Sequence, residues 1–326
     1  MKPTAKQVAH AAGVSLSAVS RAFAPDGSLD PDKKKRILAL AHAMGYVSPA
    51  RRTAEAIARN TITLVTGDLL NPFYPMVLDM LARQLQAVGR QLLVYALPGG
   101  VGVDAVTDQI LAARPSGIIV TSAQLTSRMT RACHQHRIRV VLMNRIQRDI
   151  RIPAVTCDNY GGGRDAAALL LSRGRQRIGF VAGLADTSTH TERARGFRDM
   201  LNEAGQSPYL QADGAFSYQA AHTAVSEMIA GQRQPDALFC CNDIMALGAI
   251  DAVKARGMRP GEDIAIVGFD DIPMAAWGAY RLSTIRQPVE TMVRETVNLL
   301  LDEADTPPEE GGLRIVPGKL IIRASA

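Results

Sequence analysis

From Thr61 onward one pattern repeats: a short apolar, β-rich run, then a stretch with helical spacing. The runs are ITLVTG (62–67), QLLVYAL (91–97), SGIIVTS (116–122), RVVLMN (139–144), RIGFVAG (177–183), DALFCC (236–241) and IAIVGF (264–269). Helical stretches at 74–88, 124–137, 161–173, 192–204, 218–230 and 243–255 lie between most of them, and Gly89, Gly174, Gly205, Gly231 and Gly257 stand at helix ends. Strand and helix in alternation leave few folds open. The strands must run parallel, with helices covering both faces of the sheet. Seven or more strands over 61–326 suit two doubly wound lobes better than one. In such sheets a ligand sits beyond the carboxyl ends of the strands, here in a cleft between the lobes.

The residues that follow the predicted strands are therefore the candidate ligand contacts. They are Asp68 with NPFY (71–74), Asn144 with Arg145, DTSTHTER (186–193), Asn242 with Asp243, and Asp270 with Asp271. Arginines, carboxylates, small hydroxyls and aromatics of this kind hold a polar, hydroxylated or carboxylated metabolite. Each also has a plainer reading. Asp68, Asp243 and Asp270 are possible helix caps, Asn71-Pro72 is an ordinary turn signal, and Arg145 is a possible surface ion pair. Trp277, the single Trp, is a candidate stacking platform and equally a packing residue. GGGRD (161–165) lacks the G-x-G-x-x-G spacing of a phosphate cradle. His190 beside Glu192 has no nucleophile partner, and no catalytic pair stands out. No cofactor or metal site is expected. The four cysteines lack metal-ligand spacing and read as buried, reduced thiols.

The first sixty residues differ. TAKQVAHAAGVSLSAVSRAF (4–23) reads as two short helices around a turn at Gly13. Thr4 with Gln7 makes a capping-box pattern, and Ser15 caps the second helix. Val19 and Phe23 face Val8 and Ala12, which leaves Leu16, Ser17, Ser20 and Arg21 nearer the opposite face. This is the layout of a helix-turn-helix that places its second helix in the DNA major groove. There Arg21 can pair with guanine or clamp a phosphate, and Ser17 can bond to base or phosphate. Taken singly, Ser17 and Ser20 are ordinary solvated serines; capping, turn and packing face taken together point to DNA. A third helix follows, capped by Asp30, with Ile37, Ala41 and Met44 on one face, Gly45 at its end and KKKR (33–36) exposed.

Charge supports the division. The chain has 37 Lys+Arg against 31 Asp+Glu, net +6. Residues 1–60 hold ten basic and four acidic residues, so all the excess lies there and the remainder balances at 27 against 27. A polyanion partner for the first segment follows. SPARRTAEAIARN (48–60) joins the two parts. It reads either as a plain solvated linker or as a helix that forms only on DNA, with Arg51 and Arg52 on phosphates and Ile57 wedged into a minor-groove step. No apolar run approaches the ~20 residues of a membrane span, and no apolar signal core opens the chain. No membrane contact and a cytoplasmic location are expected.

The N-terminal motif followed by this α/β body resembles the lac repressor/galactose repressor family of bacterial transcription regulators. The resemblance covers about residues 4–323. It is carried by VAHAAGVSLSAVSR (8–21), MGY (44–46), CDNYGGGRDAA (157–167), ERARGF (192–197), CNDIMALGA (241–249), VGFDD (267–271) and LSTIRQP (282–288). It implies a helix-turn-helix domain over 1–48, a hinge over 49–60 and a periplasmic-binding-protein-like effector domain over 61–326. The N-lobe would be about 61–159 plus 288–308, the C-lobe about 160–287 plus 309–326. It further implies a homodimer on near-palindromic duplex operator DNA, a repressor, not an enzyme, whose grip on DNA is set by a sugar, sugar acid or similar polar effector. The tail ends without a heptad extension, which favours a dimer over a tetramer.

By that pattern Leu16, Ser17 and Arg21 read bases, with Thr4, Ser15, Ser20, Arg51, Arg52 and Ile57 as further DNA contacts. Arg193 and Asp270 grip the effector, Phe73 and Tyr74 line its pocket, and Thr187 and Thr189 lie upstream of Arg193. Arg145, Asn242 and Trp277 complete the candidate set. Two departures stand out. Pro49 falls one residue later than the family's hinge proline, so that Ala56 stands where a wedge Leu belongs and Ile57 serves only in a shifted register. Ala18 replaces a common Thr. A solute-binding protein and a nucleotide-dependent enzyme are the rival readings. The basic N-terminal segment opposes the first, and the missing phosphate and dinucleotide motifs oppose the second.

Overall fold

Local signals set the helices of the first sixty residues. The structure is a computed structural model that describes residues 3–24, 26–67, 69–97, 101–121, 125–147, 152–302 and 312–326, with the side chains of 54–59 outside the description. Asp68 falls outside it. Thr4 accepts from the Gln7 amide (3.3 Å) while Gln7 Oε1 accepts from the Thr4 amide (2.8 Å), which starts α1 (Ala5–Ala12). Gly13 ends it at φ 65°, a left-handed conformation that a Cβ disfavours. Ser15 then accepts from the Ala18 amide and opens α2 (Leu16–Phe23). Asp30 does the same through Lys33 for α3 (Pro31–Ala43). Val8, Ala12, Ala18, Val19, Ala22, Ile37 and Ala41 form one small core. Phe23 and Tyr46 close its edge, ring centroids 5.5 Å apart. The segment between the two parts forms α4 (Pro49–Asn60).

Residues Thr61–Ala326 make a separate unit. Its first lobe starts with β1 (Thr61–Thr66), α5 (Phe73–Ala87), β2 (Gln91–Ala96), α6 (Asp104–Ala113), β3 (Gly117–Val120), α7 (Ser127–Gln135), β4 (Arg139–Met143) and β5 (Ala154–Cys157). The second lobe holds α8 (Asn159–Ser172), β6 (Ile178–Ala182), α9 (Ser188–Glu203), β7 (Gln211–Asp213), α10 (Tyr218–Ala230), β8 (Ala237–Cys240), α11 (Asp243–Ala255), β9 (Ala265–Asp270) and β10 (Ser283–Arg286). Then come α12 (Val289–Leu301), β11 (Leu313–Val316) and β12 (Lys319–Ile321). The first sheet has the order β11-β5-β4-β3-β1-β2, all parallel. The second has the order β12-β10-β9-β8-β6-β7, with only β12 antiparallel. Phe180, Phe197 and Phe239 stack at the heart of the second lobe, with centroids 5.1–5.7 Å apart.

The tail departs from the expected lobe boundaries. β11 pairs with β5 in the first sheet, so residues 313–316 do not belong with the second lobe; β12, which follows, pairs with β10 there. The chain therefore passes between lobes three times, after β5, after β10 and after β11. These crossovers lie side by side: the Asp158 amide donates to Val316 O (2.8 Å), and a Cβ on Gly318 would stand 2.9 Å from Ile285 and 3.2 Å from Cys157 Sγ.

Candidate functional site

On the small N-terminal unit one face is buried and the other open. Ala18, Val19 and Ala22 of α2 are buried, whereas Ser15, Leu16, Ser17, Ser20 and Arg21 are exposed. Leu16 is 54 % exposed, so it serves no core. Among the described residues Arg21 Nε reaches only Ser17 O, at a long 3.4 Å, which leaves the guanidinium able to swing outward. The exposed Thr4 spends its hydroxyl on the capping box. Within the basic run, Arg36 donates to Ala12 O and braces α1. Arg51 and Arg52 are exposed on α4; the Ile57 side chain lies outside the described residues.

In the larger unit, the strand ends of both sheets meet at a cleft of about 70 Å³. The first lobe supplies Asn71, Phe73, Tyr74, Asn144 and Arg145; the second supplies Leu184, Thr189, Arg193, Ala215, Phe216, Asn242 and Asp270. Arg193 is the hub. It is 2 % exposed and faces Asp270 Oδ1 at 3.3 Å. Its Nε donates to Asn159 Oδ1 (2.8 Å) and its Nη1 to Cys241 O (2.7 Å). Its guanidinium carbon lies 3.6 Å from the centre of the Phe269 ring. Asp270 also accepts from Gln287 Nε2 at 2.7 Å. Burial pushes its carboxyl above the ordinary range, against the opposing pull of Arg193. Asp270 and Asp271 hold φ of 126° and 56°, strained values for non-glycine residues; Asp270 lines the cleft, while Asp271 pairs with Arg286 and Arg323. Asn144, at φ 72°, donates from Nδ2 to Tyr74 OH (3.3 Å) and keeps a buried Oδ1 with no hydrogen-bond partner among the described residues. Asn242 caps α11 through its Oδ1.

Thr187 and Trp277 are not in the lining. Thr187 caps α9, accepting from the His190 amide and donating to Leu184 O, and so stands behind Thr189. Trp277 is 56 % exposed and outside the cleft. The second lobe's aromatic wall is Phe216 instead. It follows β7 in a left-handed pair with Ala215, and its ring lies where a Cβ on Gly183 would come within 2.3 Å. The glycines of GGGRD sit inside α8, where Gly162 meets Phe269 and Gly163 meets the Arg193 carbonyl. They serve close packing. His190 Nδ1 accepts from the Gly183 amide (3.1 Å), and burial lowers its pKa. The four cysteines are buried and unpaired.

Asp243, one residue past the Asn242 cap, is fully buried beneath the cleft. It accepts from Thr284 Oγ1 (2.5 Å) and from the Ile272 amide (2.9 Å). Burial, with Asp270 nearby, lifts its carboxyl far above the ordinary range. The folded state then holds a proton that the unfolded chain releases. That contribution is complete below the ordinary carboxylate range and is lost progressively as pH rises through about 8. Asp243→Asn, which resembles the protonated acid, is expected to unfold at higher urea than the parent at pH 8, by about 1–3 kcal/mol, and to match it near pH 4. Equal loss at both values in urea titrations would count against the protonated form.

Comparison with known proteins agrees with this geometry. Residues 167–326 match the family model for a periplasmic binding protein-like domain. The chain is 30 % identical over 309 residues to the transcriptional regulator GalS of Salmonella typhimurium, covering 92 % of this chain and 90 % of GalS. It is 28 % identical over 330 residues to the transcriptional repressor CytR of Escherichia coli, covering 99 % and 96 %. Among solved structures, a complex of the transcriptional regulator CelR with cellobiose superposes with a TM-score of 0.74 at 26 % identity, both chains being covered in full. No helix among the described residues is long and apolar enough to cross a membrane.

Proposed function

Because the chain belongs to the lac repressor/galactose repressor family of transcriptional regulators, we propose that it is a repressor whose hold on duplex operator DNA is set by a small polar metabolite bound between its lobes. The observation that carries this reading is the cleft, lined from both lobes around the buried Arg193–Asp270 pair. A ligand there touches both lobes at once, so its affinity differs between open and closed forms. That difference is what shifts a conformational equilibrium. Its 70 Å³ is far below the roughly 300–1,000 Å³ of a small-molecule pocket, so entry requires the lobes to part.

The effector is a sugar, sugar acid or comparable polyol, held by Arg193, Asp270, Asn242, Thr189 and Arg145 against Phe73, Tyr74 and Phe216. The chain works as a cytoplasmic homodimer on two half-sites, with Leu16, Ser17 and Arg21 reading bases and Thr4, Ser15, Ser20, Arg51, Arg52 and Ile57 as flanking contacts. It catalyses no reaction.

Operator fragments selected from a random duplex pool test the DNA half. Arg21→Ala is expected to weaken binding by about 1–3 kcal/mol, roughly ten- to a hundredfold, and to relax preference at one base position. Unchanged affinity in a mobility-shift titration would remove Arg21 from the reading set.

A further inference from the structure

An unbroken run of hydrogen bonds joins the cleft's ion pair in the second lobe to the wall of the first. Arg193 Nε donates to Asn159 Oδ1 at 2.8 Å. Asn159 Nδ2 donates to Thr156 Oγ1 at 3.0 Å and to Cys157 O at 2.9 Å. Thr156 Oγ1 donates to Asn144 O at 2.8 Å, and Asn144 Nδ2 donates to Tyr74 OH at 3.3 Å. All five residues are more than nine-tenths buried. Asn159 is the first residue of α8, just beyond the first crossover, and Thr156 lies in β5, just before it. Tyr74, Asn144 and Arg193 line the cleft; Thr156 and Asn159 do not.

We infer that Thr156 and Asn159 are positioning residues that tie the Arg193–Asp270 pair to the first lobe across the first crossover, and so set the resting closure of the cleft. The hydroxyl of Thr156 uses its single proton on Asn144 O and a lone pair on Asn159. The Asn159 amide is committed at both ends, its oxygen to Arg193 and its nitrogen to the first lobe. Neither group can turn without leaving a buried polar atom unmet, which in a low-dielectric interior costs far more than at a surface. The tie is therefore directional: it exists in one relative setting of the lobes and is lost when they rotate apart. Gln287, on the second crossover, holds the far side of the pair through Asp270, so both crossovers reach the same two charges. The significance of this for regulation rests on the cleft being the effector site; the tie itself does not.

The test uses the full chain with Val88→Cys on the first lobe and Asn202→Cys on the second, both exposed positions, spin-labelled and diluted into unlabelled protein. Pulsed electron resonance then reports the distance between lobes with no ligand and no DNA present. The parent is expected to show one dominant distance. Thr156→Val, which keeps the shape and removes the hydroxyl, is expected to double its width or add a second population. Thr156→Ser, which keeps the hydroxyl, is expected to restore the parent distribution. A Thr156→Val distribution that superimposes on the parent overturns the inference, as does Thr156→Ser behaving like Thr156→Val. Should Thr156→Val not fold, Asn159→Asp takes its place with the same expected broadening, since it still accepts from Arg193 and no longer donates to Thr156. A parent chain that selects no duplex from a random pool would defeat the proposed function and leave these distances unaffected.

Discussion

Replacing Arg193 by alanine is expected to abolish the effector's influence on operator binding and, separately, to weaken the larger unit by about 3–5 kcal/mol. Both effects follow from one side chain. Arg193 is the only cation within ion-pair distance of Asp270 among the described residues, and both members are buried. Its removal leaves a buried carboxylate with Gln287 Nε2 as a side-chain donor, and strands the oxygens of Asn159 and Cys241. The small N-terminal unit has a core of its own, so operator affinity measured well below the melting temperature is expected to survive. The two losses can be separated. Adding Asp270→Asn to Arg193→Ala removes the orphaned charge and is expected to recover part of the stability while the response stays absent. Operator titrations with and without a metabolite that stabilises the parent, run beside thermal unfolding, read both quantities. A retained response in Arg193→Ala would displace the effector site from this cleft.

That expectation is open to a reader of the sequence, because Arg193 and Asp270 stand in motifs, ERARGF and VGFDD, whose residue types and order carry the family resemblance. The seven apolar runs likewise announce seven parallel strands, each long enough to show as an apolar block. β5, β7, β10, β11 and β12 are not legible. They are three or four residues long, as β3 and β8 are, but unlike GIIV and ALFC they carry polar or charged residues, and β7 (QAD) and β12 (KLI) are edge strands with little apolar surface to bury. That gap misplaces the aromatic wall: without β7 there is no strand end to draw attention to Phe216, and Trp277 stands in for it. It also hides the division of the tail, since nothing local in LRIVPGKLII says that the first four residues pair with one sheet and KLI with the other. Asn144 lies at a predicted strand end, but the charge of Arg145 beside it makes the stronger candidate. The signal is the amide itself, a group with four hydrogen-bonding valences at a site where the backbone turns left-handed. The predicted helix starts at residue 192, whereas α9 starts at Ser188, because Thr187 caps a helix that begins before the charged residues.

Gly196→Ala is expected to be strongly destabilising although the added methyl touches no ligand. Helices α8 and α9 cross almost in backbone contact, at two glycines. A Cβ on Gly196 would lie 2.0 Å from Tyr160 O, and one on Gly163 would lie 2.2 Å from Arg193 O. The obstacle in each case is a carbonyl, which has no rotamer to yield, so the helices themselves must part by roughly 1 Å in an interior that has no slack. The cost is at least the upper end of the overpacking range, about 3 kcal/mol, a fall of roughly 6–12 °C in melting temperature for a unit of this size. Gly205→Ala is the control. Its φ of 72° makes any side chain strained, but the space around it is open, so only the conformational term, about 1 kcal/mol, applies. The same displacement carries Arg193 on α9 away from Asn159 on α8, a bond of 2.8 Å that cannot stretch by 1 Å and remain a hydrogen bond. Effector affinity is therefore expected to fall in Gly196→Ala and to hold in Gly205→Ala, as read by calorimetry with any metabolite that stabilises the parent. Equal melting temperatures for the two variants would mean that the helices yield where the close approach says they cannot, and that the cleft's central arginine is not positioned by how tightly they pack.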